Sequence, residues 1–320
     1  MGWVKRNVYV LFWAFSLVVL VLAVFYLIVG SFARIGSLIA ASYLEIVGAS
    51  LLIALEEAVK SIRFTLAVRA LGRKLRNLDA IRLHFASLAV GILTPAFSGA
   101  LPTQAAMIGD ILGVPPAEAI ALAMSVSFFD TVIPSVVTIE ASFMLFPYSV
   151  PLLLIAAGVV MLWALIIGGP VIDEVGHLIA TYVGSPRVRG FIEDEAAGLR
   201  PRLTRVLGNS TVFTELLAVS VASYLIEGLS MFVLTGGRVA GYLRDVTAVL
   251  MSYVGGSLPT PGGVGGVEYS LVLIVPRGVV VLWRTSYLLV SATALMLLGD
   301  VVKHYIGYAR FLARMVKEAR

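Results

Sequence analysis

The chain has 320 residues, 59% of them hydrophobic and 13% charged, with a formal net charge of +5 and a mean hydropathy of +0.98. No soluble domain of this length is so apolar, so composition predicts an all-α polytopic membrane protein. The absence of cysteine excludes disulfides, thiolate metal sites and cysteine nucleophiles.

In chain order, Trp3, Lys5 and Arg6 precede the apolar run 8–29, which exceeds a signal-peptide core and reads as a retained first helix. Further runs of spanning length lie at 35–55, 117–139, 150–169, 211–234 and 279–299, each near the ~20 residues a bilayer requires. Two regions are broken instead. Residues 82–113 are interrupted at Thr94-Pro95 and Ser98-Gly99, and residues 245–275 at Pro259–Gly266. Each arm, at about 12–15 residues, reaches the bilayer midplane but hardly crosses it. The stretches Arg63–Arg82 and 170–209 mix basic with apolar residues and read as solvated cytoplasmic loops or interfacial helices. The histidines, His84, His177 and His304, form no HxxxH pair, which favours interfacial or loop positions over a metal site.

Basic residues cluster at Lys5-Arg6, Lys60–Arg82, Arg187–Arg205 and Lys303–Arg320, and the positive-inside rule places all four in the cytoplasm. That holds only if each broken region is a re-entrant hairpin, the first entering from the cytoplasm and the second from outside. The expected fold is one transmembrane domain, 1–320, with about six spanning helices and two re-entrant helical hairpins. Its halves, about 35–139 and 211–299, form an inverted repeat; in such proteins interrupted helices at corresponding positions mark the binding site.

Candidate site residues follow from the breaks. Thr94, Pro95, Ser98 and Gly99 form the first tip, with Gln104 on its outgoing arm; Pro259, Thr260, Pro261, Gly262, Gly263, Gly265 and Gly266 form the second. Helix N-termini starting near midplane present free N–H groups to an anion, and glycines let the backbone approach a phosphate. Arg284, mid-helix in VVVLWRTSYLLV, either forks phosphate oxygens or pairs with Glu268 or Asp130. Glu268 reads as a proton-coupling carboxylate or as the counter-ion of Arg284, and Asp130 as a coupling group or a helix-packing hydrogen-bond partner. Glu45, Glu140, Glu215, Glu227 and Asp300 lie in or near spans, several at interfaces.

The run SLPTPGGVGGVE at 257–268, followed by a helix carrying Arg284, resembles the membrane domain of the lysylphosphatidylglycerol synthase/flippase family. That family includes stand-alone membrane proteins of about this length and the membrane portions of some archaeal glycosyltransferases. The resemblance spans essentially the whole chain, and Asp130 corresponds to an acidic position of the family. At the first tip the chain departs from the pattern, carrying Ser98-Gly99 and Gln104 where relatives often have Gly-Glu or Gly-Gly followed by Arg. The resemblance implies movement of lipid between leaflets.

The leading expectation is thus a flippase for a phosphate-bearing lipid, in the plasma membrane with both termini cytoplasmic. An ion-coupled small-solute transporter and a non-catalytic scaffold of a glycosyltransferase or synthase are the alternatives. No enzyme motif is present: the glycine cluster lacks the Lys-Ser/Thr of a P-loop, and HExxH and G-x-S-x-G are absent. The expected partners are membrane lipids and a lipid-modifying enzyme on another chain; no cofactor, metal or nucleic acid is called for, and no oligomeric state is assigned.

Overall fold

The computed structural model describes residues 17–169, 171–183 and 185–318. Lys5, Arg6 and residues 8–16 of the expected first span lie outside the described residues. Helix α1, Leu17–Val29, and α2, Phe32–Ala41, are bent by 95° about Gly30, which has φ +78°. Ser31 restarts the chain by accepting the Arg34 N–H.

Helix α3 runs Tyr43–Ala70. The expected span 35–55 is therefore divided across the bend at Ser42, and the helix continues fifteen residues further, through charges expected in the cytoplasm. The reason is a single buried stripe: Ile46, Ala49, Ile53, Glu56, Lys60, Arg63 and Ala67 recur at helical spacing on one face. Ile46–Ile53 belong to an apolar cluster with α1 and residues from 248–275 and 280–290, whereas Phe64–Val68 belong to a second cluster with residues from 75–86, 105–129 and 301–308. The charges fill the interval between the two.

The first broken region is α4, Asn77–Leu93, and α5, Ala100–Leu112. Its arms lie side by side, since Gln104 Nε2 donates to Ser87 Oγ at 3.2 Å. Then come α6 (Pro116–Met144), α7 (Val150–Gly168), α8 (Val171–Thr181), α9 (Pro186–Leu207) and α10 (Ser210–Leu234). The second broken region is α11, Tyr242–Gly255, and the short α12, Gly266–Val272. Helix α13, Arg277–Ala294, passes through a 3-10 turn into α14, Leu298–Glu318. The order of long helix, broken pair, long helix thus occurs twice, over α3–α6 and α10–α13, and α3 packs along α10.

Among the described residues four helices are long and apolar enough to cross a membrane: α6, α7, α10 and the continuous Arg277–Lys317. The bent α1–α2 pair makes five if counted as one span. The six expected spans do not appear as such because α3 carries its charges inside the bundle and 279–299 is part of a longer helix. The 63–82 and 170–209 stretches are largely helical rather than loops. Within the second, Glu195 Oε2 accepts the Ala117 N–H at 2.6 Å, at the start of α6. Arg200 Nε donates to the Ile167 carbonyl at 3.1 Å, at the end of α7. Acid at a helix start and base at a helix end satisfy both the orphan backbone groups and the dipoles.

Gly263, with φ +64°, would place a Cβ 2.5 Å from Gly256 Cα, whereas Gly72, with φ +74°, has open space around it. Gly263→Val should therefore cost about 2–4 kcal/mol through strain and overpacking, and Gly72→Ala only about 1 kcal/mol through strain. Thermal unfolding in detergent, comparing the two, checks this difference.

Candidate functional site

Both tips are built by threonines that replace missing backbone partners. Thr94 Oγ1 accepts the Gly99 N–H at 2.9 Å and lies 2.9 Å from the Gly91 carbonyl. Between them Ala96 and Phe97 sit at φ +52° and +54°, sparsely populated for residues with side chains. At the second tip Thr260 Oγ1 donates to the Val264 carbonyl at 2.7 Å. The two tips meet: Pro95 and Pro261 face each other in an isolated antiparallel bridge, and the Ala96 N–H donates to the Thr260 carbonyl at 3.3 Å. Pro95, Ser98, Ser257, Leu258 and Pro259 remain exposed at this junction.

The glycines of the second tip serve protein contacts rather than an open cradle. Gly255 and Gly266 approach so closely that a Cβ on either would lie about 2 Å from the other's carbonyl oxygen. The Gly265 N–H, expected to be free for an anion, donates to Glu268 Oε2 at 2.7 Å. Glu268 in turn lies 3.0 Å from Arg284 Nε, and the Arg284 guanidinium donates to the Gly262 carbonyl. Of the roles open to Arg284, the structure shows the pair with Glu268; both side chains are about 1% exposed. Gln104 is also buried, bonded to Ser87, with its Oε1 unpartnered among the described residues.

Asp130 is not part of that pair. It lies 2.8 Å from Arg63 and is itself a quarter exposed. It marks one end of a buried network that α3 carries into the centre of the bundle. Arg63 also donates to Ser220 Oγ at 3.2 Å, on α10. Lys60, 3% exposed, pairs with Glu56 one turn earlier and lies 3.9 Å from Glu227 Oε2, also on α10. Its ammonium bonds the Tyr253 hydroxyl on α11, which donates to Glu227 Oε2 at 2.7 Å. Rings of Tyr224 and Tyr253 flank the ammonium at 5.4 and 4.5 Å, a cation–π arrangement. Glu57 turns the other way, to His84 Nε2 on α4 at 2.6 Å. His84 is thus a core residue tied to a carboxylate, not an interfacial or loop histidine.

A narrow cleft borders this network, lined by Asp130, Thr131, Pro134, Ser135, Tyr253 and Ser257 among others. Pro134 lies within α6 and has no N–H, so the Asp130 carbonyl loses its helix partner beside the cleft. A separate open groove of about 640 Å³ lies between α1, α2 and the start of α13, with Ile28, Val29 and Leu38 as apolar wall and Arg34 and Arg277 as charged rim. Helix α1 runs from the second tip, where Leu17 lies against Gly262, to this groove, with Ile28 about 16 Å further along the axis.

By sequence Lys60 and Arg63 belong to a basic cluster expected in the cytoplasm, and Glu227 lies in a span with no assigned role. The signal that would have found them is the spacing of Glu56, Lys60 and Arg63 in register with Ile46, Ala49 and Ile53. A charge triplet continuing an apolar stripe is buried with it.

The family model described as the lysylphosphatidylglycerol synthase TM region matches residues 13–280. No curated protein and no solved structure matches the chain.

Removing one partner of a buried ion pair leaves the other charge bare, at a cost of about 3–5 kcal/mol. Lys60→Met should therefore strongly lower the melting temperature in detergent, and combining it with Glu227→Gln should cost less than the two changes added. Simple additivity would mean that the two side chains act independently.

Proposed function

The chain belongs to the family of the lysylphosphatidylglycerol synthase TM region, and on that premise we propose that it moves a phosphate-bearing lipid between membrane leaflets. The observation that carries this reading is the contact of two broken helix pairs at Pro95 and Pro261. Interrupted helices at membrane depth survive only inside protein or beside a watery cavity. In this reading the first hairpin enters from the cytoplasm and the second from outside, both termini are cytoplasmic, and the membrane is the plasma membrane. The halves 35–139 and 211–299 then rock about the junction of the tips.

The groove at Arg34 and Arg277 supports a lipid substrate, because guanidinium groups above an apolar wall suit a phosphate with its tails in the bilayer. From there the headgroup travels along α1 to the exposed Ser98 and Ser257. Arg284 and Glu268, closed on each other, hold the second hairpin in shape instead of touching the headgroup. Asp130 at the cleft favours an amine beside the phosphate. Among phospholipids, aminoacyl-lipids and polyprenyl-phosphates, that points to an aminophospholipid or aminoacyl-lipid. Lipid modification is left to another chain.

Ser257 is exposed and lines the cleft, so a bulky residue there obstructs the path without disturbing packing. In proteoliposomes holding fluorescent aminophospholipid and polyprenyl-phosphate analogues, the wild type should equilibrate the amine-bearing lipid between leaflets. Ser257→Trp should slow this by about tenfold, a barrier rise of about 1.4 kcal/mol, at an unchanged melting temperature. Failure of the wild type to move any lipid would remove the flippase reading and leave solute transport or a scaffold role.

A further inference from the structure

We propose that Glu56 and Glu227, on either side of Lys60, form a buried proton-binding site whose loading changes as α3 and α10 move apart. This rests on the transport reading above for its coupling, but not for the existence of the site.

Charge balance is the first ground. Around Lys60 the structure gathers four carboxylates, Glu56, Glu57, Glu227 and Asp130, against two fixed cations, Lys60 and Arg63. His84, held by Glu57, adds at most one more positive charge. A core this dry does not hold surplus negative charge; it takes up protons. Position identifies where. Glu57 has His84, and Asp130 has Arg63 and lies partly exposed at the cleft. Glu56 and Glu227 are wholly buried and share one ammonium, and each has an oxygen, Oε2 of Glu56 and Oε1 of Glu227, with no hydrogen-bond partner among the described residues. Those oxygens accept no hydrogen bond, so a proton on either displaces none, whereas a second buried negative charge there has no donor to stabilise it.

The remaining groups facing the pair are consistent with this. From α10 and α11 come the Tyr224 and Tyr253 hydroxyls, and from α13 come Tyr287, which stacks on Trp283, and Arg284, already closed on Glu268. None is a further cation free to neutralise Glu56 or Glu227. A bound metal ion is a poorer occupant than a proton, because the Lys60 ammonium already occupies the space between the carboxylates.

An exchange route also exists. The cleft is lined by Asp130 and Tyr253, and the Tyr253 hydroxyl donates to Glu227 Oε2 at 2.7 Å, so a single hydroxyl links the cleft to the pair. Glu56 and Lys60 belong to the first helix of one half, Glu227 to the first helix of the other. Moving α10 from α3 takes Glu227 from its ammonium, so an ionised Glu227 loses its counter-ion and a second proton joins the one the pair already holds. Return of α10 expels that proton toward the cleft. Proton relays of Asp, Glu and His inside membrane bundles work on this principle.

Two measurements on the full chain in liposomes test this. Infrared spectra at neutral pH should contain the carbonyl band of a protonated carboxylic acid. That band should diminish in Glu56→Gln or Glu227→Gln and shift in Tyr253→Phe, which keeps both carboxyls. Absence of the band, or its survival in both glutamine variants, overturns the site. Lipid movement should vary with pH, by about tenfold per unit on the limb limited by one proton, and the Glu227→Gln profile should be flat. A wild-type profile flat with pH overturns the coupling. If the wild type moves no lipid at any pH, the flippase reading and the coupling fall together, whereas the infrared band still decides the site.

Discussion

Lys60 is the constraint around which the bundle is organised. A lone ammonium inside a membrane protein is expensive, and the expense falls only when carboxylates and hydroxyls close around it. Lys60 is closed in by Glu56 on its own helix, Glu227 on α10 and Tyr253 on α11. Those partners come from three helices, so α3 cannot slide along α10 or turn about its axis without unpairing a charge. The apolar clusters on either side supply most of the buried area, but they are interchangeable in a way that a charge and its counter-ion are not. A buried ion pair adds little net stability over a well-packed apolar substitute; what it adds here is register.

The hairpins answer a related demand, that of backbone rather than side chain. Thr94 and Thr260 satisfy local backbone groups at the tips, and Glu268 supplies the negative charge that the start of α12 attracts. That carboxylate would itself be an unpaired charge but for Arg284, which then completes its own needs on the Gly262 carbonyl. One closed circuit thus holds the second tip. A helix start that a sequence reader assigns to a substrate anion is already occupied by an anion of the protein.

The breaks at Thr94–Gly99 and Pro259–Gly266 were legible because proline and glycine act on the backbone locally, whatever surrounds them. The structure interrupts the helices at both positions and brings the two breaks together. The fate of the charges was legible only in part. A positive residue counts toward topology only when it faces the aqueous side, and the stripe through Ile46, Ala49 and Ile53 puts Lys60 on the buried face of α3 and Arg69 off it, but does not name its partner on another helix. That partner is distant in the chain: Tyr253 is 193 residues away. Pairing over that distance is decided by packing, and no local pattern encodes it. His84 failed for the same reason, its carboxylate lying on a different helix. Arg284 was an intermediate case: its possible partners were named correctly, but only the fold chose Glu268 over Asp130.

The seam between the two tips has a property that follows from its residue types. The residues directly opposed across it are both prolines, and neither has an N–H to give. A pair of extended segments normally lengthens into a ladder by adding alternate donors, but this one stops at the single bond from Ala96 to Thr260. One backbone hydrogen bond is worth about 0.5–1.5 kcal/mol net. The join therefore does not zip up into a sheet: it is fastened by side chains, Leu88 and Ile92 packed with Val264 and Val267, and its parting would unwind no helix.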